Sequence, residues 1–209
     1  LHRAITASRL ELEVPGLGGL LTWSPRGVFV TEGPEDSGMI DIRDSETGER
    51  IRSFRGHDGD VNDVAFSPDG SMLASTGVDG TLKVWDASTW RRVSSLSGEF
   101  GAWGPSFSAD GSLVAAAWED GQIRILDLST DRVVSTVQLA PSQPWTWNPV
   151  DTALSPDGER VAVASGWNPP GETVGAVFDV RTGEEAFTLA GTNSCCPTPQ
   201  SRGVSWSPD

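Results

Sequence analysis

The chain has 209 residues and a net charge of −14, from 29 acidic and 15 basic side chains, so it repels phosphate backbones and is not expected to bind nucleic acid. Apolar residues make up 37%, and the 24 glycines add to that share, which supports a buried core and argues against wholesale disorder. No apolar run approaches the roughly 20 residues of a membrane helix, so no membrane partner is expected.

The only two cysteines, Cys195 and Cys196, are adjacent and cannot staple distant elements. That points to a reducing compartment and a cytoplasmic location. No further ligands flank them, so neither a metal nor a cofactor is expected. Leu1 is not an initiator methionine, and the true N-terminus is expected to lie upstream.

Taken from the N-terminus, the first predicted strand is Arg9–Val14, which ends at Pro15-Gly16. A unit of four strands follows over residues 20–55: Leu20–Trp23, Val28–Thr31, Ile40–Arg43 and Arg50–Phe54. Its middle turn, Glu32–Gly38, is long and acidic. The second unit, residues 61–96, is the most regular. Val61–Phe66, Met72–Thr76 and Thr81–Trp85 alternate with a period of two and are separated by Ser67-Pro68-Asp69-Gly70 and Val78-Asp79-Gly80. Arg91–Leu96 closes it.

The third unit, 102–138, contains Ala102–Phe107, Leu113–Ala117, Gln122–Leu126 and Arg132–Gln138. A Pro- and Trp-rich loop, Ala140–Pro149, leads to a fourth unit over 150–189, whose turn Gly166–Glu172 carries a Pro-Pro pair. After the polar loop Gly191–Gln200, residues 202–209 open a fifth unit with Arg202–Trp206. The rungs Trp23-Ser-Pro, Phe66-Ser-Pro, Phe107-Ser-Ala, Leu154-Ser-Pro and Trp206-Ser-Pro advance by 43, 41, 47 and 52 residues. Each of the four units also closes through an Asp-led hairpin at Asp44, Asp86, Asp127 or Asp179, rich in Ser and Thr. No helix-period segment of useful length interrupts this ladder, so the expected class is all-β.

The stretch GHDGDVNDVAFSPDGSMLASTGVDGTLKVWD, Gly56 to Asp86, opens on Gly-His and closes on Trp-Asp, and at this spacing it resembles a WD-repeat (WD40) unit. The resemblance implies a β-propeller of four-stranded antiparallel blades, here four full blades and partial blades at 9–14 and 202–209, forming one domain over 1–209. The chain is then expected to be a segment of a larger ring; the alternative is a small ring closed by pairing of Arg9–Val14 with Arg202–Trp206. The Pro-Asp-Gly-rich, acidic style also looks like the repeats of large bacterial signalling proteins, with the chain as their sensor or docking part.

By the same resemblance, blade two carries a bracing network of His57, Ser75, Asp79 and Trp85. In blade three only Asp120 matches, with Glu99 at the His, Ala116 at the Ser and Leu126 at the Trp; Arg43 and Phe178 stand at the Trp position of blades one and four. His57, Ser75 and Asp79 are the residue types of a hydrolase triad, but no G-x-S-x-G elbow surrounds Ser75, so no enzyme is expected. Asp58-Gly59-Asp60 starts like a calcium loop yet lacks the sixth-position glycine and flanking helices, so no metal is expected there either.

In this family partners dock on the face of the loops leading into each first strand and of the middle turns. Here that face comprises Asp60, Asn62 and Val78 on blade two, Trp103 and Glu119 on blade three, Asn148 on blade four and Arg202 on blade five. Trp103, Trp145, Trp147 and Trp167 are candidate aromatic anchors, and the acidic charge favours a protein or peptide with a basic surface. The competing expectation is an enzymatic or ligand-binding propeller with its site in the central channel, which requires perturbed polar groups on channel-facing strands.

Overall fold

The computed structural model describes residues 21–139, 149–165, 173–190 and 204–206. Arg9–Val14, Leu20, Trp145, Trp147, Asn148, Trp167, both cysteines and Arg202, all singled out above, lie outside the described residues.

Among the described residues, sixteen strands form four antiparallel sheets, each following chain order. The first contains β1 Leu21–Trp23, β2 Val28–Glu32, β3 Met39–Asp44 and β4 Arg50–Arg55. The second contains β5 Val61–Phe66, β6 Met72–Gly77, β7 Thr81–Asp86 and β8 Arg91–Ser97. The third contains β9 Ala102–Phe107, β10 Leu113–Trp118, β11 Gln122–Asp127 and β12 Arg132–Gln138. The fourth contains β13 Pro149–Leu154, β14 Arg160–Ser165, β15 Thr173–Asp179 and β16 Glu185–Ala190. The expected strands differ from these only by residues at their ends, for example β6 and β10, which run on to Gly77 and Trp118. Among the described residues there is no helix, hence none that could cross a membrane.

Alternation along each strand sends successive side chains to opposite faces of its sheet, and both faces are buried against neighbouring sheets. Leu73 and Trp85 point back to Val30, Ile40 and Ile42 of the first sheet. Ala74, Leu82 and Val84, one residue out of phase, point forward to Ala102, Val114, Ala116 and Trp118 of the third. Ala115, Ala117, Ile123 and Ile125 then meet Leu154, Val161, Val163 and Phe178 of the fourth. The hydrophobic core is therefore divided among the sheet-to-sheet junctions. A one-residue slip of any middle strand would exchange its two faces.

The first strands approach one another in order, β1 with β5, β5 with β9 and β9 with β13. The last strands are the most exposed, and the four outward residues Arg50–Ser53 of β4 show it best. Sheets converging on their first strands and packed face to face in sequence are the blades of a β-propeller.

The turns between first and second strands explain the recurring Ser-x-Asp. Ser67 Oγ–H donates to Asp69 Oδ1 at 2.7 Å while accepting the Met72 amide at 2.9 Å. Ser108 with Asp110 and Ser155 with Asp157 repeat the arrangement. Blade one has Arg26 in place of that aspartate, and its Nε–H crosses to the Asp69 carbonyl of blade two at 2.9 Å.

Candidate interaction face and axial cleft

Blade two contains an unbroken chain of hydrogen bonds. Trp85 Nε1–H donates to Ser75 Oγ at 2.9 Å, and Ser75 Oγ lies 2.8 Å from His57 Nε2. His57 Nδ1 lies 2.9 Å from Asp79 Oδ1, which also accepts from the Thr81 hydroxyl at 2.7 Å. Because the indole can only donate, Ser75 gives its proton to Nε2 and the imidazole gives its Nδ1 proton to Asp79. Every member is satisfied by a neutral histidine.

Burial lowers the His57 pKa, and the opposing pull of Asp79 does not reverse it, so the close Asp79 contact is a hydrogen bond from a neutral ring. Burial by itself raises Asp79, but hydrogen bonds from Thr81, the Asp58 amide and His57 hold its carboxyl well below the usual range. Ser75 is 0% exposed and His57 1%, so no substrate can reach the hydroxyl. The trio braces the turn.

Blade three fills the same space from the other side. Gly77 in β6 sits under the His57 ring, whose Nδ1 would lie 2.6 Å from an added Cβ. The third-blade residue at the register position of Gly77 is Trp118, and its indole packs onto Gly98, where Cδ1 would lie 2.4 Å from an added Cβ. Trp118 Nε1–H donates to the Gly80 carbonyl at 2.9 Å, and Arg124 stacks 4.5 Å from the ring centroid while bonding Asp120 at 3.1 Å. Glu99, expected in the histidine's place, is exposed instead. An indole needs the loop beneath it to be glycine, and the Gly98-Glu99 order supplies that.

The face expected to dock partners lies at the end where β5 and β9 begin. Val78 is 49% exposed and rests on Gly59; Phe100, 50% exposed, has its backbone against Gly80. Beside Phe100, the half-buried Trp103 donates Nε1–H to exposed Glu119 at 3.2 Å. Phe100, Trp103 and Glu119 form a strip over the junction of blades two and three, and Val78, two residues before Gly80, extends it across blade two toward Gly59. Asp60 accepts the Asp36 amide at 2.6 Å and borders a cavity of about 390 Å³ with Glu32 and Glu35. Asn62 does something different: its Nδ2–H donates to the Ala102 carbonyl at 2.9 Å, tying β5 to β9. Phe100 was not singled out from the sequence because it lies in an irregular loop with no alternation to mark it.

Along the axis, β5, β9, β13 and residues 204–206 line an open cleft of about 450 Å³. Asp63 and Asp151 face it from the same strand position, each three residues before its rung, Phe66 or Leu154. Between them Gly104 has φ +52°, and a Cβ there would lie 2.4 Å from the Asp151 Cα, so only glycine lets β9 come this near β13. Ser106 and Thr152 hydroxyls meet at 3.0 Å across the same junction. Among the described residues, no group of three or more His, Cys, Asp or Glu could hold a metal ion.

Residues 48–86 match the WD domain, G-beta repeat family. The chain is 35% identical over 85 residues to the serine-threonine kinase receptor-associated protein of Bos taurus, covering 40% of this chain and 24% of that protein. It is 45% identical over 51 residues to WD repeat-containing protein 36 of Homo sapiens, covering 24% and 6% of the two chains. Over 43 residues it is 54% identical to the ribosome biogenesis protein erb1 of Neurospora crassa, covering 21% and 6%. The chain thus matches about a quarter of the length of the first of these proteins and far less of the other two.

Proposed function

We propose that this chain is a non-catalytic WD-repeat interaction module that docks a protein or peptide on the strip formed by Val78, Phe100, Trp103 and Glu119. The observation that carries the reading is the half-exposure of Val78 and Phe100 at one end of the propeller, Phe100 beside an indole whose polar edge already holds a carboxylate. Apolar side chains left in water beside a rigid, fully hydrogen-bonded turn are suited to anchor a partner. The partner's surface is basic, since Asp58, Asp60, Glu99 and Glu119 share this end of a chain of net charge −14. The same charge disfavours nucleic acid.

A wider reading makes the module the docking or sensor part of a larger cytoplasmic regulator. It rests on the tandem turn style and the thiol pair alone, and the eukaryotic relatives named above lend its bacterial form no support. A second reading, a small-ligand site in the axial cleft, is favoured by the burial-raised pKa values of Asp63 and Asp151 on channel-facing strands.

A pool of short peptides combining lysine or arginine with apolar residues, titrated into labelled protein and followed by amide NMR, tests both readings. Shifts at Val78–Gly80, Phe100–Trp103 and Glu119, abolished in Phe100→Ser, support the strip. Shifts confined to Asp63, Ser106 and Asp151 would favour the cleft.

A further inference from the structure

The two axial aspartates stand where the fold brings its first strands nearest together. Among the described residues, the Asp63 carboxylate accepts only its neighbour's amide, Val64 N–H at 2.7 Å. Asp151 Oδ2 accepts the Val204 amide at 2.8 Å, and two residues on, Trp206 Nε1–H donates to the Ala153 carbonyl at 2.9 Å. Asp151 is therefore part of the clasp that holds residues 204–206 against β13.

The surroundings hold no counter-charge among the described residues. Among the described lining residues of the cleft, the only ionisable groups are Asp63 and Asp151 themselves. The strands packed around them offer none either: β1, β6, β9 and β10 carry no titratable side chain, and neither do residues 204–206. Arg160 of β14 lies at the opposite strand end, paired in register with Asp179, whereas Asp151 is paired with Ala164.

Two half-buried carboxylates facing one cleft without a cation cannot both ionise cheaply. Burial, with Asp151 adding to it, pushes Asp63 up to about 7 against the Val64 amide; burial pushes Asp151 up to about 6 against the amides of Val204 and Thr152. The amide of Val204 favours the ionised form of Asp151, so the pair divides its roles: Asp63 keeps the proton and Asp151 keeps the clasp.

We propose that Asp63 and Asp151, facing one cleft, make the axial junction of β5, β9, β13 and residues 204–206 a pH-sensitive joint, firm when Asp63 is protonated and loosened when both carboxylates are charged. The sign follows from linkage. A carboxyl whose folded value is raised contributes stability that is fully present below its unfolded value and is lost as pH rises through the folded one. The joint therefore loosens as pH rises through about 7; His57, lowered by burial, gives a slope of opposite sign near its ordinary value of about 6.5, and that slope is common to wild type and Asp63→Asn.

Thermal melts of the wild type, Asp63→Asn and Asp151→Asn at pH 6.5 and 8.0 test this, with hydrogen exchange at residues 204–206 as the local readout. The wild-type midpoint is expected to fall by about 2 °C across the interval and protection at Val204 to drop beyond the intrinsic pH effect. Asp63→Asn, close to isosteric, should remove most of both changes, and Asp151→Asn should lower protection at Val204 at either pH. An Asp63→Asn chain with the wild-type slope overturns the proposal. So does a carboxyl carbon NMR titration of the wild type in which both groups titrate near 4, a readout that needs no variant to fold.

Discussion

The first and second blades place a hydroxyl at the same register position, and the two hydroxyls meet opposite fates. Thr31 opposes Asp41 as Ser75 opposes Lys83, and both hydroxyl-bearing residues are buried. Ser75 joins His57 to Trp85. Thr31 Oγ1 has no hydrogen-bond partner, nor do Asp41 Oδ1 and Arg43 Nε beside it. In blade one Arg43 occupies the place of Trp85, and the space is held by ion pairs from Asp41 to Arg50 at 3.2 Å and to Arg43 at 3.8 Å. Blade three replaces the pair with Ala116 and Leu126 and blade four with Val163 and Phe178, removing the polar groups altogether. A buried network stabilises when complete. An incomplete one costs more than an apolar substitute, so the same blade outline persists over very different interiors.

The largest test of this contrast sets two tryptophans against each other. Trp85→Ala and Trp118→Ala should each lower stability by about 3–5 kcal/mol in denaturant melts, since each removes a buried indole with its hydrogen bond. The two sites differ in what rescues them. Gly98→His should clash in the presence of Trp118 and be better tolerated in Trp118→Gly, where the imidazole can take the vacated space. Additive losses in that double variant would break the proposed exchange of side chains between loop and strand.

Next come the paired hydroxyls. Ser75→Ala leaves the Trp85 N–H and the His57 Nε2 unpaired and should cost about 1–3 kcal/mol. Thr31→Val removes a group that bonds nothing and should change stability by less than about 0.5 kcal/mol, or raise it. Equal losses at the two positions would mean that Thr31 is satisfied after all.

The smallest effect is a pH dependence. His57 is lowered by burial, so the folded chain resists a proton that the unfolded chain accepts. Its contribution is fully present above the ordinary imidazole value of about 6.5 and is lost as pH falls below it. Melts between pH 5 and 6.5 should show wild-type stability falling further behind that of His57→Gln as acid is added, the raised carboxyls of Asp63 and Asp151 acting alike in both chains.

Much of this architecture is legible in the chain. Strand period and the Ser-Pro-Asp-Gly turns fix the blades because both are local, and the one regular repeat carries its network at readable spacing. Trp118 was not legible as a brace, since it reaches the histidine's space from a strand position that is glycine in the reference blade. Asp63 and Asp151 are visibly equivalent in the ladder, but only the convergence of β5, β9 and β13 shows that they share a cleft and that burial there raises the cost of ionising each. Phe100 had no pattern to announce it; its exposure is a property of the folded junction.

The claim that the junction of blades two and three is the working surface is tested most directly by a paired measurement on Trp103→Ala. We expect a melting midpoint within about 2 °C of wild type, because the indole is half-exposed and bonds only an exposed carboxylate, together with at least a tenfold loss of affinity for a basic, apolar peptide selected on the wild type. Unchanged affinity, with the midpoint likewise unchanged, would contradict the assignment and move the binding surface elsewhere on the propeller.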